Sequence, residues 1–240
     1  MSIASNRAEL VKALKKTGDP VIRKGQEKYF KSVLKFYGIK VPGLKSLFTD
    51  WYGTLFHKQK LESHIALSRL LLASDYGEEK YLAVMLLTKI IKKLNYAHLS
   101  FFEEMLDNHV YDWATCDGIA GKLLTEMIKT DERVVRGLLS WPGSENIWRT
   151  RAANVAFVKL ARFGNHNDEI ISIAEKSISC SERFVQLGAG WVLRELSQAD
   201  KKRVVTFIKK HYSKFSREGL RYAIEKMEPQ LRKDLLAYNQ

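Results

Sequence analysis

The chain is poor in the residues that mark stapled, membrane-spanning or tethered proteins. Its 240 residues include two cysteines, Cys116 and Cys180. Without a CxxC spacing they offer neither a disulfide framework nor a zinc site, and a reduced interior is expected. Four prolines and no Gly/Ser-rich run leave no candidate for a long flexible linker. The longest apolar stretch, Leu82 to Leu87, falls far short of the roughly 20 residues that cross a bilayer. The opening segment MSIASNRAELVKALKK lacks an apolar core of signal-peptide length. A cytoplasmic or nucleoid location with no membrane association is therefore expected. The six histidines are scattered without ligand spacing, and no His-Glu-x-x-His, Walker loop or nucleophile elbow occurs. Neither a metal nor a cofactor is expected, and nothing points to oligomerisation, so the expectation is a monomer.

What the chain does have is apolar spacing and positive charge. Hydrophobic residues make up 45% and charged residues 28%, ordinary for a folded protein. Nearly every segment repeats its apolar residues three and four apart, and almost none alternates, which predicts helix throughout. Asp19-Pro20 and Val41-Pro42 read as helix starts, and Ser144-Glu145 as an N-cap followed by a first-turn acid. Breaks are expected near Gly18, Lys40, Tyr76-Gly77, Asn95, Asn108, Trp141-Pro142-Gly143, Gly164-Asn165 and Ser179. Short helices without a tether favour pairs stacked in sequence as one domain over residues 1–240, and about 40 residues per pair gives about six pairs. A compact helical bundle is the structural alternative. Lys and Arg total 40 against 27 Asp and Glu, a net charge of +13, with the bases spread through the helices and not gathered in a tail. A polyanion is the expected partner, although a membrane surface or simple solubility also accommodates such charge.

Three segments depart from plain core patterning. In a helix expected from about Asn146 to Arg162, Arg151 lies within an apolar stripe of Ile147, Trp148, Ala152, Val155 and Ala156. Its guanidinium requires an anionic partner, either an acid on a neighbouring helix or a phosphate. Trp113 and Asp117 stand four apart and share a helical face, as core and capping residues or as a functional ledge. Gly188 and Gly190 sit inside a helical pattern next to Trp191. Glycine there costs about 1 kcal/mol relative to alanine, so close backbone packing or close approach of a ligand is expected.

Together these strings resemble the DNA alkylation-repair glycosylase family of HEAT-like repeats, the AlkD type. The most specific matches are Asn146-Ile-Trp-Arg-Thr-Arg151-Ala-Ala and Gly190-Trp191-Val-Leu-Arg194-Glu195. Trp113 with Asp117 supports them, as does Lys28-Tyr29-Phe30 with Tyr37-Gly38-Ile39. The resemblance runs from about Lys24 to Ser197. It implies an all-α fold, an α-α superhelix or solenoid of HEAT-like helical repeats whose concave face holds duplex DNA containing alkylated purines. It further implies Asp117 as the catalytic carboxylate, Trp113 and Trp191 as indoles lining the cleft, and Arg151 as the essential basic residue. Tyr29 is expected to approach the lesion, with Lys159 and Arg194 facing DNA. The activity implied is hydrolysis of the N-glycosidic bond of N3- and N7-alkylated purines without base flipping. Tyr111-Asp112 stands where the family often has another aromatic, and Lys40-Val41 alters the turn after Gly38. Two alternatives share the same helical, basic chain: a non-catalytic protein that binds branched or distorted DNA, and a helical-repeat scaffold for an acidic protein partner.

Overall fold

The computed structural model describes residues 2–238. They form two compact units, one running to Leu94 and including Glu104–Gly118, the other made of Asn95–Glu103 and the described residues from Ile119 onward. Among the described residues the only β feature is an isolated parallel bridge between Lys35 and Tyr76. The fold is all-α, as the three-and-four spacing predicts.

The first unit contains α1 (Ile3–Thr17), α2 (Pro20–Tyr29), α3 (Val41–Trp51), α4 (Leu61–Leu72) and α5 (Gly77–Lys89). It also takes the later part of α6 (Leu99–His109) and α7 (Trp113–Ile119) up to Gly118. Helix α4 packs on α1 and α5, burying Leu10, Leu14, Leu67, Leu71, Leu82 and Leu86 completely or almost so. Both proline-marked starts are present: the Asp19 carboxylate accepts from the Val21 and Ile22 amides ahead of Pro20, and Pro42 lies in the first turn of α3. The turn after α2 is held by Glu78, whose carboxylate accepts from the amides of Tyr37, Gly38 and Ile39.

Lys80 of α5 is fully buried. Its ammonium donates to the carbonyls of Leu72 and His109, at the C-terminal ends of α4 and α6, where carbonyls lack helical partners. Burial pushes the Lys80 pKa down to about 8, against the opposing pull of Asp112, Asp75 and Glu79. Asp112 in turn caps α7, accepting from the Thr115 amide at 2.8 Å. The position where an aromatic was expected from the resemblance is thus occupied by the acid that starts the helix carrying Trp113 and Asp117.

The second unit contains α8 (Thr125–Thr130), α9 (Glu132–Leu138), α10 (Ile147–Val155), α11 (Val158–Ala161) and α12 (Asn167–Ser177), then α13 (Arg183–Leu196), α14 (Lys201–Lys210), α15 (Arg217–Ala223) and α16 (Pro229–Leu236). Its hub is α13, which packs on α10, α11, α12 and α15 through the fully buried Val185, Ala189, Val192, Leu193 and Leu196. The two glycines of α13 have a packing cause. A Cβ on Gly190 would lie 2.7 Å from the Gly219 carbonyl oxygen of α15, and one on Gly188 would meet the Arg151 stem at 3.3 Å.

Two local expectations are corrected. The helix expected from about Asn146 to Arg162 is two helices, α10 and α11, separated at Ala156-Phe157. The Ala156 carbonyl accepts from the Thr125 hydroxyl at 2.7 Å, a tertiary bond that spacing within one segment does not reveal. The cap of α10 is Asn146, which accepts from the Trp148 and Arg149 amides, and not Ser144, whose hydroxyl instead accepts from the Asn146 amide. An amide side chain one residue before the helix competes better for its first N–H groups than a serine three residues before it.

Candidate functional site

In the first unit the sequence-predicted residues Tyr29, Trp113 and Asp117 come together. Tyr29 ends α2 and is 68% exposed. Its ring meets the Trp113 indole edge-on at 6.2 Å between centroids. Phe30, to which the Lys28-Tyr29-Phe30 string assigns no role, stacks on the same indole at 5.7 Å and 13°, and it contacts Phe36 behind it. The Trp113 indole is therefore braced in a fixed plane by rings from the end of α2. Asp117 lies one turn further along α7 and is half-buried.

In the second unit, Lys159, Trp191 and Arg194 line one open groove of about 720 Å³ with Lys129, Arg162, Phe163 and Lys226. Trp191 is half-buried and stacks on Tyr222 at 6.5 Å. The Arg194 guanidinium lies over the other ring of this pair, 4.7 Å from the Tyr222 centroid, a cation–π arrangement that fixes both side chains. Lys159 reaches back to the Gly121 carbonyl. Phe163, in the turn after α11, is 73% exposed.

Three cations of this groove converge on one carboxylate. Glu195 is 2% exposed and accepts from Arg162 at 2.8 Å, from Arg194 at 2.9 and 3.1 Å, and from Lys226 at 2.9 and 3.0 Å. Burial alone would raise its pKa, but the hydrogen bonds from Arg162, Lys226 and Arg194 outweigh this and hold it at about 2. Arg162, Glu195 and Lys226 are absent from the sequence-derived candidates. Glu195 was in view as part of the Gly190–Glu195 string, but only the fold brings Arg162 and Lys226 to it.

Arg151, on α10, is almost entirely buried. Its guanidinium donates to the Phe184 carbonyl at 2.7 Å and lies 6.0 Å from the Phe184 ring. Gly188 makes room for its stem. The arginine is thus locked against the N-terminal half of α13 and does not wander at the surface. Among the described residues no helix is long and apolar enough to cross a membrane.

A family described as DNA alkylation repair enzyme matches residues 10–227. A solved structure described as a predicted DNA alkylation repair enzyme from Enterococcus faecalis superposes with a TM-score of 0.79 at 18% identity, covering 88% of this chain and 97% of that one. At that identity the likeness shows the fold. No curated protein shows significant sequence similarity to the chain.

Proposed function

The chain belongs to the DNA alkylation repair enzyme family, and on that premise we propose that it is a monomeric DNA glycosylase that hydrolyses the N-glycosidic bond of N3- and N7-alkylated purines in duplex DNA. Such a purine carries positive charge, so its bond to the sugar is already weakened and the base leaves with little need of protonation. The electron pair of the C1′–N bond passes to the base and neutralises it. Water forms the new bond to C1′ and releases its proton to solvent. The enzyme's task lies at the sugar, where C1′ gains oxocarbenium character as the bond stretches.

Asp117 is assigned as the anion that stabilises this charge and orients the water, as carboxylates do in other glycoside chemistry. Trp113 and Trp191 are assigned cation–π roles, worth roughly 0.5–2 kcal/mol each. Arg151 supplies fixed positive charge for a backbone phosphate. Lys159 and Arg194 serve the DNA backbone, and Tyr29 the lesion. Because the lesion is read through its charge and weakened bond, the base stays unflipped, in contrast to glycosylases that select by pocket shape.

The observation that carries this proposal is the half-buried Asp117 one helical turn from an indole braced by Tyr29 and Phe30, in a chain of +13 net charge. The direct test is to incubate the full chain with duplex DNA containing N7-methylguanine or N3-methyladenine and follow released base. Release of free methylated base is expected. Tight duplex binding without release would assign the chain to non-catalytic recognition of distorted DNA, and no duplex affinity at low salt would favour a protein-binding scaffold.

A further inference from the structure

We propose that Arg162, Arg194 and Lys226, assembled on Glu195, form a preorganised cradle for one backbone phosphodiester beside Trp191, and that Glu195 is a positioning residue for nucleic-acid binding although it carries the same sign of charge as the ligand. This rests on the duplex-DNA proposal above and adds to it a site and an anionic residue with a binding role.

The geometry supplies the reason. Cations on long side chains lose rotamer freedom when they are fixed on a ligand. Here the loss is incurred on folding, because three of them are hydrogen-bonded to one buried carboxylate. Arg162 comes from the end of α11, Arg194 and Glu195 from α13, and Lys226 from the turn after α15. Without Glu195, three like charges from separate elements would repel one another and spread into solvent. Three cations against two carboxylates, Glu195 and Glu225, leave the group with excess positive charge, and the side chains of Arg162 and Lys226 remain 51% and 37% exposed, available to an incoming anion. Arg194 is held more deeply, at 16%, by its second partner Glu225 and by the Tyr222 ring. Since Tyr222 also stacks on Trp191, the cradle and the indole are mechanically linked through one ring. A backbone phosphodiester suits such a site because its two non-bridging oxygens accept from guanidinium and ammonium donors, and the net charge of +13 favours a polyanion over an isolated carboxylate.

The test uses the full chain and a short unmodified duplex, with affinity measured across a salt series. Glu195→Gln makes the protein one unit more basic. If charge alone matters, it binds DNA more tightly. The positioning role predicts the opposite: affinity lower by about tenfold, with a log-log salt slope shallower by about 0.9, the loss of one phosphate contact. Equal or tighter binding by a folded Glu195→Gln protein overturns the proposal. Should that variant fail to fold, the more exposed pair Arg162→Gln/Lys226→Gln carries the test against a charge-matched control, Lys209→Gln/Lys210→Gln, at exposed positions of α14. The first pair is expected to lose at least tenfold more affinity than the control, and equal losses overturn the proposal. Wild-type protein that binds duplex without excising base would remove the glycosylase assignment and leave the cradle standing. Absence of wild-type binding at low salt would remove the DNA assignment itself.

Discussion

What distinguishes Asp117 is its half-buried position on a helix whose first residue is braced by two rings. Asp117→Asn keeps shape and removes charge, so it is expected to leave duplex affinity intact while lowering single-turnover excision by about 10²–10³, the usual loss on removing one electrostatic stabiliser. Undiminished excision would refute the role. Glu195 invites a test by titration. Its carboxyl is held at about 2 against an ordinary 4.5, so the folded state binds its proton more weakly than the unfolded chain does. The stabilisation is complete above pH 4.5 and is lost as pH falls toward 2. Thermal melts of wild type and Glu195→Gln between pH 6 and pH 2.5 are expected to converge on acidification, since protonation removes from the wild type what the variant already lacks.

At the scale of elements, α13 and α7 show how packing decides what a segment does. Propensity favours alanine over glycine by about 1 kcal/mol in a helix, yet at Gly190 the added methyl would sit 2.7 Å from a backbone oxygen of α15. Overpacking of this kind costs about 1–3 kcal/mol. Gly190→Ala is therefore expected to lower the melting temperature, whereas Gly25→Ala on α2, where a Cβ meets nothing within 4 Å, is expected to raise it slightly. A lower melting temperature for both would show that propensity and local space are the wrong terms. On α7 the anchoring is polar: Asp112 caps it, and Lys80 ties down the chain end that precedes it at His109. Lys80→Met would leave the buried Leu72 carbonyl and the part-buried His109 carbonyl without this donor, and the unfolding free energy measured in urea is expected to fall by at least about 1–3 kcal/mol.

For the whole molecule, the governing quantity is charge. A net +13 spread over helices, with five cations lining one groove of the second unit, predicts binding dominated by counterion release. A log-log slope of affinity against salt near −5 is expected if about six phosphates are contacted. A flat response would argue against a phosphate-gripping protein. The helical class, the proline-marked starts and the sites of most chain breaks are legible in the sequence, because three-and-four spacing and capping are properties of neighbours in sequence. Trp113 and Asp117 were legible as a pair for the same reason. Phe30 was not, because nothing along the chain distinguishes a phenylalanine that braces an indole from one in the core.

By itself the sequence determined the fold class, the family strings around Trp113, Arg151 and Trp191, and the strongly positive charge of the chain. Only the tertiary structure decided that α10 and α11 are separate helices, that Arg151 is locked on the Phe184 carbonyl, and that Glu195 gathers Arg162, Arg194 and Lys226. The physical reason is range: helix propensity, capping and charge act within a few residues of chain, whereas a hydroxyl that closes a distant carbonyl or a carboxylate that collects three cations depends on approaches that only packing creates.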